Sequence, residues 1–133
     1  MLATTLFVLA TSAAAPQRHA HYYERLARTY FEVWNSHDVN GLLALFAPDV
    51  TLRDWDVHKT GAAAVAKANG NIFAAVPNIH IDVESVHVSE HTRTAACEIL
   101  VRLNNANGEV LKVVDVIAFD DTGKISAVRA YKG

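Results

Sequence analysis

Cysteine occurs once in the chain, at Cys97, so no disulfide can form within it. Nothing beside Cys97 in sequence would activate a thiolate, and in the strand-like run TAACEILVRL it reads as a small buried apolar residue. An excess of one charge is missing too: 12 Lys and Arg face 14 Asp and Glu, a formal net charge of -2. The charges are scattered with no basic stripe, which excludes the electrostatic footprint of a nucleic-acid binder. No apolar run is long enough to cross a membrane as a helix. Glycine-rich phosphate loops between strand and helix are absent, and so is the G-x-S-x-G elbow of serine hydrolases. The 7 histidines are spread out, and HVSEH runs from a strand into a turn, where ligand geometry is not fixed. Neither a metal nor a cofactor is therefore expected. Repeats, linkers and low-complexity tracts are lacking as well. What remains is 133 residues, 51% hydrophobic and 20% charged, enough for one domain with a respectable core.

The first twenty residues stand apart. An apolar segment from Leu2 to Leu9 leads into small residues, with Ala13 and Ala15 spaced like an export-signal cleavage site. No Lys or Arg precedes Arg18, however, and Pro16 sits awkwardly for cleavage. Two readings stay open: a signal ending near residue 15, with export, or an N-terminal extension on a cytoplasmic protein. Residues 1–20 are set aside and residues 21–133 taken as the domain.

Helical periodicity covers 22–36, with Tyr23, Leu26, Ala27, Tyr30, Val33 and Trp34 on one stripe. Asn35, Ser36 and His37 break it. Asp38 is a good N-cap for a second helix over 39–46, ended by Pro48 and Asp49. In VTLRDWDV, strand alternation puts Val50, Leu52, Asp54 and Asp56 on one face, with His58 in the same phase. Thr60 is the expected cap of an alanine-rich helix over 61–75, stopped by Pro77. Strands NIHIDVESVHV, RTAACEILVRL, EVLKVVDVIAF and KISAVRAY follow, joined by turns that include NNANG and DDTG. Parity changes between Val83 and Val86, which predicts a bulge near Glu84 and Ser85. Helices first and hairpin strands after give an α+β fold: a cone-shaped, curved, mostly antiparallel sheet packed on three helices. Such a cone leaves a concave mouth where a hydrophobic small molecule can bind. The outer sheet face carries Val110, Val114 and Val116, an apolar surface that points to a homodimer.

Three polar residues fall on otherwise apolar faces. Asp115 interrupts KVVDVIAF on the face of Leu111, Val113, Ile117 and Phe119, where a carboxylate must be paired, open to a cavity, or protonated. Tyr30 and Asp54 are the others. Plain explanations exist for each: a core tyrosine bonded to a backbone carbonyl, Asp54 paired with Arg129 across the sheet, and Asp115 capping such a pair.

The segment ARTYFEVWNSHDVNGLLALFAPDVTLRD, then TGAAAV, and finally VVDVIAFDDTGKISAVRAY, resembles the ketosteroid isomerase branch of the SnoaL-like, nuclear transport factor 2-like superfamily. It spans Tyr23 to Lys132. The resemblance implies an active site of a helix tyrosine at Tyr30, a base at Asp54 and a strand acid at Asp115. In ketosteroid isomerases the strand acid stays protonated in an apolar site and donates a hydrogen bond to the dienolate oxygen, an established arrangement of that family. The implied cone would be lined by Trp34, Leu52, Ile99 and Val113. Trp55 stands where those isomerases tend to carry proline, and Asp56 and His58 make the mouth more polar. The expected function is thus isomerisation of an enolisable ketone, steroid or polyketide-like. A lyase or hydrolase using Asp54, Asp56 and His58, or a non-catalytic binding module, are the alternatives.

Overall fold

The structure is a computed structural model and describes residues 19–133. The segment read as an export signal lies outside the described residues. Helix α1 (Ala20–Asn35) buries Tyr23, Ala27, Tyr30, Phe31 and Trp34, a stripe at helical spacing, and keeps Glu24 and Arg28 outside as an i,i+4 pair. Helix α2 (Val39–Leu45) begins where predicted, because the Asp38 carboxylate accepts the Gly41 N–H at 2.9 Å. Strand β1 (Phe46–Arg53) follows directly, then a short β2 (His58–Thr60), α3 (Ala62–Ala75), and strands β3 (His80–Ser89), β4 (Thr94–Arg102), β5 (Val110–Phe119) and β6 (Ile125–Lys132).

The strands form one six-stranded sheet in the order β2-β1-β6-β5-β4-β3. Neighbours are antiparallel except β1 and β6, which run parallel, so the sheet is mixed. It is curved and not closed. The bulge falls where the parity change put it: the β3–β4 register shifts between Val83 and Ser85, which returns Val86 and Val88 to the core side opposite Cys97 and Ala95. The DDTG turn is held by Asp120, whose carboxylate accepts the Thr122 and Lys124 N–H groups, with Gly123 at φ 88°.

Three local expectations are corrected. Strand β1 begins at Phe46 and stops at Arg53, so Asp54 is not within a strand. Strand β2 went unread, being only three residues long and exposed throughout. Thr60 does not cap α3; Gly61 does, at φ 98°, with no side-chain hydrogen bond.

The break after α1 is a fastening. Asn35 donates its amide to the Ile81 carbonyl at 2.8 Å and accepts the Ile81 N–H at 2.7 Å, pairing with edge strand β3 as another strand would. His37 reaches the Ile79 carbonyl at 2.8 Å and stacks on Phe73 with centroids 4.3 Å apart. The helix layer is thereby tied to the edge that the bulge curls inward. Asn35→Ala removes both bonds and leaves a partly buried N–H and C=O on β3 without partners, a loss of about 2 kcal/mol. Urea unfolding of the variant against wild type measures it; an unchanged midpoint would refute the fastening.

Candidate active site

Strand register determines what meets inside the cone. On β5, Asp115 lies between Cys97 of β4 and Ala130 of β6, and Val113 pairs with Ile99. On the other side of β6, Leu52 pairs with Val128 and Arg53 with Arg129, so Asp54 emerges from β1 level with Ala130. Two strand spacings, roughly 10 Å, therefore separate the Asp54 and Asp115 backbones. Ala130, with only a methyl group, lies between them. Helix α1 closes the space with Tyr30 and Trp34, and α3 with Asn69 and Ile72. The result is a cavity of about 320 Å³ whose wall includes Tyr30, Asp54 and Asp115 among mostly aliphatic side chains. No lysine or arginine lines it.

Asp54 is positioned by its own carboxylate. Oδ1 accepts the Asp56 N–H at 2.7 Å and the Val57 N–H at 2.6 Å, and the Asp54 N–H bonds the Val57 carbonyl at 2.9 Å. This tight turn ends the strand and overturns the expected alternation. His58, paired with Arg53, lies on the sheet face away from the cavity and is exposed; it is not part of the wall. Asp56 and Trp55 stay at the mouth by the turn, Trp55 42% exposed with the Lys132 ammonium 5.0 Å from its ring centroid. Arg129 makes no ion pair with Asp54 either, since it shares the outer face with Arg53.

Asp115 is 7% exposed and Tyr30 3% exposed. Among the described residues no fully buried side-chain N or O atom lacks a hydrogen-bond partner, yet neither the Tyr30 hydroxyl nor the Asp115 carboxyl bonds another protein group. Both must therefore open to the cavity they line. The backbone-carbonyl explanation for Tyr30 falls with this. Burial pushes the Asp115 carboxyl up to about 7, and the charge of Asp54 pushes the same way. Burial, reinforced by Asp115, drives the Tyr30 hydroxyl well above the ordinary tyrosine range, so it remains a donor. Burial also pushes the Cys97 thiol up to about 12, with Asp115 adding to the shift, and that leaves it a poor nucleophile.

One buried polar residue was missed in sequence. Asn69, 3% exposed, accepts the Trp34 indole N–H at 2.9 Å and donates to the Val65 carbonyl at 3.0 Å. Its signal was an amide in the middle of an alanine-rich helix. Its bonds fix the Trp34 ring, which forms part of the cavity wall. Among the described residues no cluster of three His, Cys, Asp or Glu could hold a metal ion, and no helix is long and apolar enough to cross a membrane.

The SnoaL-like domain model matches residues 27–128, from the first helix to the last strand. The chain belongs to the SnoaL-like family. Curated protein sequences gave no significant match. Among solved structures, this SnoaL-like chain is similar to a protein of unknown function with cystatin-like fold from Methylobium petroleophilum PM1, at TM-score 0.78 and 22% identity, over 89% of this chain and 80% of that one. A candidate ketosteroid isomerase from Kribbella flavida DSM 17836 matches at 0.72 and 23% identity, over 86% and 79%. The epoxide hydrolase/cyclase-like enzyme SalBIII, with a role in pyran ring formation in the polyether salinomycin, matches at 0.71 and 19%, over 84% and 90%. Identities this low establish the shared fold and no activity.

An acid whose pKa is raised by folding leaves stability untouched below its unfolded value and costs progressively more as pH climbs to the folded one. For Asp115 that window runs from about 4 to about 7. Across it, wild type should lose stability relative to Asp115→Asn, on the order of 4 kcal/mol when complete, and nothing further above it. Urea unfolding of both proteins at several pH values gives the difference; parallel curves would refute a protonated Asp115.

Proposed function

We propose that this SnoaL-like chain is a cofactor-independent isomerase that moves a double bond in an enolisable ketone, steroid or polyketide-like, through a dienolate. One observation carries the reading: a carboxyl held neutral by burial and a tyrosine hydroxyl face, across one apolar cavity, a second carboxylate with an oxygen to spare. Asp54 Oδ2, which has no protein partner, takes the proton α to the carbonyl. Negative charge then develops on the carbonyl oxygen, where the Tyr30 and Asp115 hydroxyls donate hydrogen bonds in a site poor in water. Asp54 returns the proton at the far end of the conjugated system, and both acids regain their starting states. Leu52, Ile99 and Val113 supply the apolar wall and Trp34 a flat one. The outer sheet face, with Val114, Val116 and the half-exposed Tyr131 and, among the described residues, no helix over it, is proposed to pair with a second copy. Light scattering should return twice the chain mass; a monomer would remove that part of the proposal.

A β,γ-unsaturated ketosteroid, followed spectrophotometrically, tests the reaction. Asp54→Asn should lower kcat by about 10²–10⁴ and Tyr30→Phe or Asp115→Ala by about 10²–10³. Activity should fall as pH rises through about 7, when Asp115 ionises, and Asp115→Asn, which keeps a donor, should lose that alkaline limb. Absence of conversion by wild type would sink the isomerase reading. The resemblance to SalBIII favours a second reading, in which Asp115 protonates an epoxide oxygen while Asp54 draws the proton from the attacking hydroxyl. Turnover of a hydroxy-epoxide, with the ketone inert, would select it. Binding without turnover of either would leave a non-catalytic module.

A further inference from the structure

Helix α3 has a second working face. Asn69, Ile72 and Val76 look into the cavity, while Ala64, Lys67, Ala68 and Asn71, spaced along the adjoining stripe, line an open groove of about 590 Å³ against β2. The alanines make the groove, since their side chains leave the helix surface low. Lys59 reaches it from β2, because pairing with Leu52 puts Lys59 on the helix side of the sheet. Val57 and Ile72 belong to both walls, and Val57 is the last residue of the turn that holds Asp54.

Charge is sorted across this sill. The cavity has Asp54 and Asp56, a protonated Asp115 and no cation, whereas the groove has Lys59 and Lys67 and no acid. Among the described residues the ammonium group of neither lysine has an ion-pair or hydrogen-bond partner. A free acid group would be repelled by the inner chamber and attracted by the outer one. We infer that the ligand of this site is amphiphilic: an apolar body carrying the ketone lies in the cavity and crosses the Val57–Ile72 sill, and a terminal anionic group sits in the groove between Lys59 and Lys67. The inference rests on the proposed isomerase reading and narrows its substrate class from any enolisable ketone to an acidic one. It also gives the ligand a direction, with its ketone end at Tyr30 and Asp115 and its middle beside Asp54.

Trp34 and Trp55, the chain's two tryptophans, both line the cavity, so their fluorescence reports binding without any need for turnover. The probes are the hemisuccinate of 19-nortestosterone and the methyl ester of that hemisuccinate, which differ only in the terminal charge. Wild type should bind the acid about fivefold to tenfold more tightly than the ester, the range that two partly solvated ion pairs supply. Raising the salt concentration should shrink the preference. The double variant Lys59→Gln/Lys67→Gln should erase it and leave ester affinity unchanged, and because both lysines are exposed the variant should fold. Equal affinities in wild type, a preference that survives in the double variant, or no binding of the acid each overturns the inference. The two proposals fail separately. A chain that prefers the acid but isomerises nothing keeps its ligand class and loses its reaction; one that isomerises with no preference loses only the acidic ligand.

Discussion

A carboxyl group set in an aliphatic wall, with a second carboxyl across the same space and no cation lining it, is the constraint on which the rest of this molecule turns. An isolated ion there would be costly enough that the group stays protonated to near neutral pH instead. The surroundings cooperate in keeping it so. Cys97 beside it is a thiol that neither donates charge nor withdraws it, and Ala130 on the other flank is too small to fill the gap toward Asp54. Val113 and Ile117, the next residues on the same face of β5, are buried and apolar. A buried carboxyl with a satisfied partner would be structural. One open to a cavity, and protonated to near neutral pH, suits the proposed role of donor to a bound ligand.

The fold can be read as the means of holding that cavity open. The bulge at Glu84 bends the sheet at its β3 edge and gives it the curvature that leaves a concave side facing the helices. Asn35 and His37 then tether the end of α1 to that same edge, so the curl and the helix layer are joined by side-chain to backbone hydrogen bonds. At the opposite side, the parallel pairing of β1 with β6 brings the Asp54 turn alongside Ala130. An antiparallel neighbour would have presented the start of β1 there instead. Trp34 is locked by Asn69, and the Phe73–His37 stack closes the layer behind it.

Much of this was legible in the chain because the signals were local. The stripe of α1, the Asp38 cap, the parity change at Glu84 and the Asp120 turn each depend on residues within a few positions of one another. Asp115 was conspicuous for the same reason, a charge in an unbroken β-branched run. What escaped was of two kinds. RDWDV alternates like a strand, and only the reach of the Asp54 carboxylate to two N–H groups makes it a turn, so side-chain capture of the backbone overrode periodicity. That one substitution of turn for strand removed His58 from the wall. The pairing of β1 with β6, by contrast, joins segments more than seventy residues apart, and no local pattern encodes it. Asn35 and His37 were visible as helix breakers, but their partners, Ile81 on β3 and Ile79 just before it, were not.

The places where local rules fail include two, Tyr30 and Asp115, where the chain gives up stability. Asp54 ends a strand, Asp115 interrupts an apolar face, and the Tyr30 hydroxyl opens to the cavity without a protein partner. A leucine at 115 or a phenylalanine at 30 would suit its surroundings better, since filling a polar recess with apolar atoms is commonly neutral or stabilising. Three such exceptions scattered over a fold would be noise. Here they come from three elements distant in sequence, α1, the turn after β1, and β5, and converge on one cavity of ligand size. Departures from local consistency that converge in space are the mark of a site, because a packed core has no use for them and a bound molecule does.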